Sequence, residues 1–272
     1  MKFLITLALL CVSLFADDKL LQSCLKDNDL EVCEKVFNTH DTQCKNDILE
    51  SCIYVAWLYA SGNFVEKNLN KALDFTKKAC DGNLIAGCRI AGLFYLQDNN
   101  TKDAYIAIAK SCKGNDALAC EMLANFYLYG TAVKKDEKKA YLLAKKACEM
   151  DNICFLYAKF YINGVYTKRD WDKAFMLSKK SCDKQNDSNS CSVVAGFYYD
   201  GIVVRRDYKL TLNYAQKACD GGNSYSCFLL GNLYYNGLGV RADTQKAKEY
   251  SGKACDLGYQ QSCDFYKTLP TP

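Results

Sequence analysis

Apolar positions along this chain recur at helical spacing. Counted from Cys52, Cys88, Cys120, Cys154, Cys191 or Cys227, the fourth following residue is always small: Ala56, Gly92, Ala124, Ala158, Ala195 or Gly231. The sixth is leucine or phenylalanine, and the seventh is tyrosine (Tyr59, Tyr95, Tyr127, Tyr161, Tyr198, Tyr234). Offsets of 0, 3, 4 and 7 share one face of an α-helix. Each window therefore predicts a helix whose small residue lets a partner approach and whose large residues fill the space around it. The regular tyrosines are expected in the core, whereas Tyr199 and Tyr235 beside them are candidates for exposure. Ten residues from the cysteine, five of the six windows carry glycine (Gly62, Gly130, Gly164, Gly201, Gly237), a helix C-cap signal.

A second helix follows each first one. Asn68, Asn100, Asp136, Asp170, Asp207 and Asp243 stand twelve residues before the next cysteine. Each is a predicted N-cap whose side-chain oxygen accepts from an unpaired backbone N–H. The helices close on segments such as Lys78-Ala79-Cys80, with a lysine in the last turn that suits the negative end of the helix dipole. The closing cysteines step by 32 to 37 residues, a period that marks stacked repeats. The fold class expected is all-α, a right-handed superhelical solenoid of antiparallel helix hairpins over residues 47–272, with a helical cap at 17–46 and a short C-terminal cap. The unit at Cys88, whose turn is Asp98-Asn99-Asn100, and the close pair Cys148 and Cys154 are expected to depart from the regular geometry.

Two disulfide schemes fit the spacing. Pairing across a hairpin, as Cys52 with Cys80, strands Cys24 and Cys263. Pairing of neighbours strands none of the sixteen cysteines after Cys11. The expected bridges are Cys24–Cys33, Cys44–Cys52, Cys80–Cys88, Cys112–Cys120, Cys148–Cys154, Cys182–Cys191, Cys219–Cys227 and Cys255–Cys263. Each closes a short loop and is worth about 2.5 kcal/mol on chain-entropy arguments. Structural zinc wants tighter cysteine spacing, often with histidine, and the one histidine is His40. No metal and no cofactor is expected.

Lys2 followed by the apolar run Phe3 to Phe15 reads as a signal peptide at 1–16. That run is too short for a bilayer span, which needs about 20 residues. Export and paired cysteines imply an oxidising compartment, periplasmic or extracellular. The whole chain carries a formal net charge of +4, too mild for a nucleic-acid footprint. No membrane span is expected after cleavage, and the mature chain is expected to be a monomer.

The segments Cys227-Phe-Leu-Leu-Gly-Asn-Leu-Tyr-Tyr-Asn-Gly-Leu-Gly-Val240 and Lys246-Ala-Lys-Glu-Tyr-Ser-Gly-Lys-Ala-Cys255 resemble Sel1-like repeats, relatives of the tetratricopeptide repeat. The export signal and paired cysteines are similar to the secreted Helicobacter cysteine-rich protein family. That resemblance implies β-lactam binding or hydrolysis, and Sel1-like repeats more widely imply an adaptor scaffold. A serine β-lactamase needs a Ser-x-x-Lys motif. The two matches, Ser23 to Lys26 and Ser181 to Lys184, lack the companion Ser-Asp-Asn and Lys-Thr-Gly motifs, and each abuts a cysteine assigned to a bridge. No catalytic residue is assigned.

Binding is expected on the face of the first helices that the core leaves free, because a superhelix of hairpins lines its concave side with one helix per repeat. Five residues after the second cysteine of a pair the type varies: Trp57, Leu93, Asn125, Lys159, Gly196, Asn232. Asn125, Lys159 and Asn232 resemble the clamp with which tetratricopeptide relatives hold extended peptides. The partner expected is a peptide, a protein or a cell-wall fragment, a β-lactam among the small-molecule candidates.

Overall fold

The computed structural model describes residues 30–62 and 64–269. The predicted signal peptide, Cys24 and the Ser23 motif lie outside them, as does the first part of the predicted cap. The described residues form fourteen helices and no strand. They belong to two compact units that divide between Lys135 and Asp136. The first unit holds α1 (Leu30–Lys45), α2 (Leu49–Ser61), α3 (Leu69–Asp81), α4 (Ile85–Gln97), α5 (Thr101–Lys113) and α6 (Ala117–Tyr129). The second holds α7 (Glu137–Asp151), α8 (Phe155–Asn163), α9 (Trp171–Gln185), α10 (Ser188–Asp200), α11 (Tyr208–Asp220), α12 (Ser224–Asn236), α13 (Thr244–Asp256) and α14 (Gln260–Thr268). Within each unit every helix packs on the next in sequence.

The helix ends follow from single residues. All six expected N-caps accept a backbone N–H at the start of a second helix, as Asn68 does from Lys71 and Asp243 from Lys246. The five glycines sit at helix C-caps with left-handed φ of 65° to 73°. Where that glycine is missing, α4 runs into Asp98, Asn99 takes the positive φ, and Asn100 at once caps α5. The second expected irregularity costs α8 its first turn. With only six residues separating Cys148 from Cys154, α8 begins after Cys154 and has nine residues instead of thirteen.

The small residues do bring helices together. A Cβ on Gly92 would lie 2.5 Å from Cγ1 of Ile108, so a branched side chain of α5 faces a glycine of α4. The leucine or phenylalanine at the sixth position is buried in every repeat, from Leu58 to Leu233. The tyrosines at the seventh position depart from expectation. Only Tyr161 is fully buried; the others are half-buried at the mouth of their hairpins. Three of these rings stack on an aromatic residue of the following helix: Tyr59 on Phe75, Tyr198 on Tyr214, Tyr234 on Tyr250. A lysine from the first turn of that helix covers the ring in three cases, Lys71 over Tyr59, Lys173 over Tyr161 and Lys246 over Tyr234.

Seven disulfides join the neighbouring pairs from Cys44–Cys52 to Cys255–Cys263 as expected. Cys33 is also disulfide-bonded, and its expected partner lies outside the described residues. Each bridge ties the end of one second helix to the start of the next first helix. The lysines closing the second helices reach further than the dipole argument implied. Lys78 Nζ donates to the carbonyl of Cys44 at 2.7 Å and Lys110 Nζ to that of Cys80 at 2.7 Å, so each satisfies the helix end one repeat upstream. A chain held by so many bridges belongs outside the reducing cytosol. Among the described residues no helix is long and apolar enough to cross a membrane.

Candidate binding face

A first helix of the repeat is buried on most sides, which leaves one narrow free stripe. In the second unit the stripe follows the positions one, five and eight residues after the second cysteine of a pair. On α8 these are Phe155, Lys159 and Ile162; on α10 Ser192, Gly196 and Tyr199; on α12 Phe228, Asn232 and Tyr235. All are half-buried except Tyr235, which is exposed as expected; Tyr199 is not fully so. Tyr225, one turn before Phe228, is exposed too. Helices α10 and α12 pack side by side, so their stripes adjoin. Phe265 of α14 packs edge-on against Phe228 and Tyr235, extending the aromatic surface.

Two of the three expected clamp residues stand on this stripe. Lys159 Nζ lies 5.6 Å from the centre of the Phe155 ring one turn earlier, and no acid among the described residues pairs with it. Asn232 Nδ2 donates to the carbonyl of Phe228 at 3.2 Å, which uses one of its two amide hydrogens. Asn232 therefore retains a donor and an acceptor for a ligand. Between them in register stands Gly196, where an added Cβ would meet nothing within 4 Å. Glycine inside a helix costs about 1 kcal/mol against alanine, and here neither a close neighbour nor a positive φ requires it. The contrast with Gly231 on α12 is direct, since a Cβ there would lie 2.6 Å from Ser251 Oγ. Register separates the two: Gly231 holds the fourth position, where a small residue admits the partner helix, and Gly196 the variable fifth.

The third clamp residue, Asn125, belongs to the first unit. It too spends an amide hydrogen on its own helix, on the carbonyl of Glu121 at 3.2 Å. With Leu96, Met122, Phe126, Tyr129 and Thr131 it lines a cleft of about 230 Å³. At the equivalent position of α2, Trp57 is buried, so the stripe is not continuous through the first unit.

The sequence matches to catalytic motifs fare differently. Ser181 is fully buried, and its Oγ accepts from the backbone N–H of Cys154 at 3.3 Å. It is a packing residue that ties α9 to the start of α8, and no substrate reaches it. His40, the one histidine, is half-buried. Its ring lies 4.1 Å from that of Tyr54, and Nδ1 shares a hydrogen bond of 3.2 Å with Ser51 Oγ, while Ser51 donates to Gln43. This network docks α1 on α2. Among the described residues no group of three or more histidine, cysteine or acidic side chains could hold a metal.

One titratable cluster was not visible in the sequence. The hydroxyls of Tyr141, Tyr157 and Tyr161 lie 2.7 to 3.3 Å from one another, where α7 meets α8. Burial pushes the Tyr157 phenol up, and hydrogen bonds to Tyr141 and Tyr161 push it further. Burial also acts upward on Tyr161, but hydrogen bonds from Lys173, Tyr141 and Tyr157 outweigh it and hold that phenol below the ordinary range. The hydrogen bond to Tyr161 in turn raises Lys173. Tyr157 and Tyr161 are buried and the hydroxyls satisfy one another, so the cluster fastens helices. In an alkaline titration followed by phenolate absorbance, one tyrosine is expected to ionise early. Tyr161→Phe should remove that step and Lys173→Met should move it to higher pH. A native titration without an early step would contradict the arrangement.

The Sel1 repeat family model matches residues 49–84, 117–152, 154–186, 189–223 and 224–259. It passes over α4 and α5, the hairpin with the shortened turn. Among solved structures, a Sel1 repeat protein from Oxalobacter formigenes is similar with a TM-score of 0.69 and 23% identity, over 84% of this chain and 99% of that one. A protective antigen of uropathogenic Escherichia coli, c5321, which displays an SLR fold, is similar with a TM-score of 0.63 and 19% identity, over 85% of this chain. This chain spans 50% of that antigen's length. Cysteine rich protein B of Helicobacter pylori is 32% identical over 49% of this chain and 96% of its own, with a TM-score of 0.40. The first two likenesses show the fold. No curated protein matches the sequence.

Proposed function

Because the chain belongs to the Sel1 repeat family, we propose that it is an exported, monomeric binding scaffold whose second unit takes an extended peptide on its first-helix stripe. The observation that carries this reading is Lys159. It is the only charged side chain at the stripe positions of α8, α10 and α12, and it has no acid beside it. An unpaired cation on an aromatic surface favours a ligand carboxylate. Asn232 supplies the donor and acceptor that a peptide unit needs, and the exposed rings of Tyr225 and Tyr235 supply area at low entropic cost. A segment of another protein or the peptide of a cell-wall fragment offers the same chemistry. The disulfides suit either the periplasm or the space outside the cell.

The β-lactamase reading implied by the resemblance to the Helicobacter family has no nucleophile in Ser181, which is buried. The test is to pan a display library of random linear peptides against the purified, oxidised protein, with Lys159→Ala/Asn232→Ala as the counter-target. Enriched peptides are expected to bind the double variant about tenfold more weakly, the scale of losing a buried polar contact. Equal binding to both proteins would remove the stripe as the site. Turnover of a chromogenic β-lactam above a heat-denatured control would favour the hydrolase instead.

A further inference from the structure

The stripe has a gap at its centre, and the gap has a definite chemistry. Gly196 lies at the same register on α10 as Lys159 on α8 and Asn232 on α12. Its missing side chain leaves open space, bounded along α10 by Ser192 and Tyr199 one turn to either side. Neither packing nor backbone conformation asks for glycine there, although a helix interior disfavours it. One turn further along α10 stands the half-buried Tyr199, whose ring packs edge-on against Tyr208, and the neighbouring helix α12 brings Phe228 to the adjoining stripe. Rings of that kind favour another ring in offset or edge-on contact.

We infer that Gly196 is the specificity notch of this face, admitting an aromatic side chain of the ligand at a fixed distance from an acidic group held by Lys159. This rests on the peptide reading above. The distance is that of one repeat step, taken from the packed pair α10 and α12: such helices stand about 8–10 Å apart, and an extended chain advances about 3.3 Å per residue. One repeat step therefore spans about three ligand residues. The ligand class is an extended peptide with an aromatic residue three positions from an aspartate, a glutamate or a terminal carboxylate. Its backbone continues to Asn232 about three residues beyond the ring.

The same random library supplies the test. Peptides enriched on the wild-type protein are expected to share an acid and an aromatic residue about three positions apart. Gly196→Trp fills the notch and should weaken those peptides about tenfold or more, the scale of losing a buried aromatic anchor. Gly196→Ala adds a Cβ that meets nothing and should leave their binding close to wild type. Circular dichroism confirms that both variants fold. The spacing readout uses the wild-type protein alone, so it stands even where Gly196→Trp does not fold. Enriched peptides that need Lys159 and Asn232 but show no such spacing, or that ignore Gly196→Trp, would overturn the notch and leave the peptide site intact. No enrichment at all would overturn both.

Discussion

Reduction of the purified chain should unfold it at 37 °C. Each of the seven described bridges closes a loop whose cysteines are six to nine residues apart. A loop of that size restricts the unfolded chain by about 2.5 kcal/mol. Seven such contributions exceed the whole stability of an ordinary domain, about 5–15 kcal/mol. The effect is concentrated where it matters most, because a repeat hairpin cannot bury its apolar face alone and depends on its neighbours. Far-UV circular dichroism with and without a thiol reductant measures the outcome. Loss of the helical signal is expected, and replacing only Cys219 and Cys227 by serine should cost about 2–4 kcal/mol in denaturant. A reduced chain that keeps its helices and a cooperative melt would show that apolar packing alone suffices.

The second large effect is expected from Arg89. Its Nε donates to Asp116 Oδ2 at 2.7 Å, and the two side chains are only 9% and 13% exposed. The other oxygen of Asp116 caps α6 by accepting from the N–H of Ala119 at 2.9 Å. The pair thus locks the start of α6 to the face of α4. Both groups are already out of water, so deleting one leaves the other charged and unanswered. Arg89→Ala should destabilise the fold by about 3–5 kcal/mol. Asp116→Asn keeps the cap and removes the charge, so the double variant Arg89→Ala/Asp116→Asn should recover part of the loss. Urea unfolding of the four proteins gives the coupling. A loss from Arg89→Ala of under about 1 kcal/mol would place the pair with ordinary surface ion pairs.

Arg89 also marks the limit of what the sequence makes legible. Caps and C-caps depend on residues within four positions, so Asn68, Asp170 and Gly201 could be placed from spacing. The bridges could be placed because neighbouring cysteines leave no remainder. Arg89 and Asp116 are 27 residues apart on different helices, and their meeting depends on how two hairpins stack. The same holds for Lys78 and the Cys44 carbonyl, and for the phenol cluster of Tyr141, Tyr157 and Tyr161. The tyrosines at the seventh position show the converse. Their spacing gave the correct side of the helix, but depth depends on the partner: Tyr161 is closed over by Tyr141 and Lys173, whereas Tyr59 and Tyr234 stay at the hairpin edge. On the stripe, register alone located Lys159 and Asn232. The open space at Gly196 appears only once α12 and the turns of α10 are in place.

The placement of the bridges decides which cuts the chain survives. Every described bridge spans a connection between repeats, and none spans a turn inside a hairpin. A protease that nicks the chain between Cys219 and Cys227 leaves both pieces covalently joined and both helices in place. Two exposed basic pairs of the second unit, Lys168-Arg169 and Arg205-Arg206, instead lie within hairpin turns. A cut there frees two fragments that only non-covalent packing holds together. In a space patrolled by host or bacterial proteases, the molecule is armoured between its repeats and severable within them.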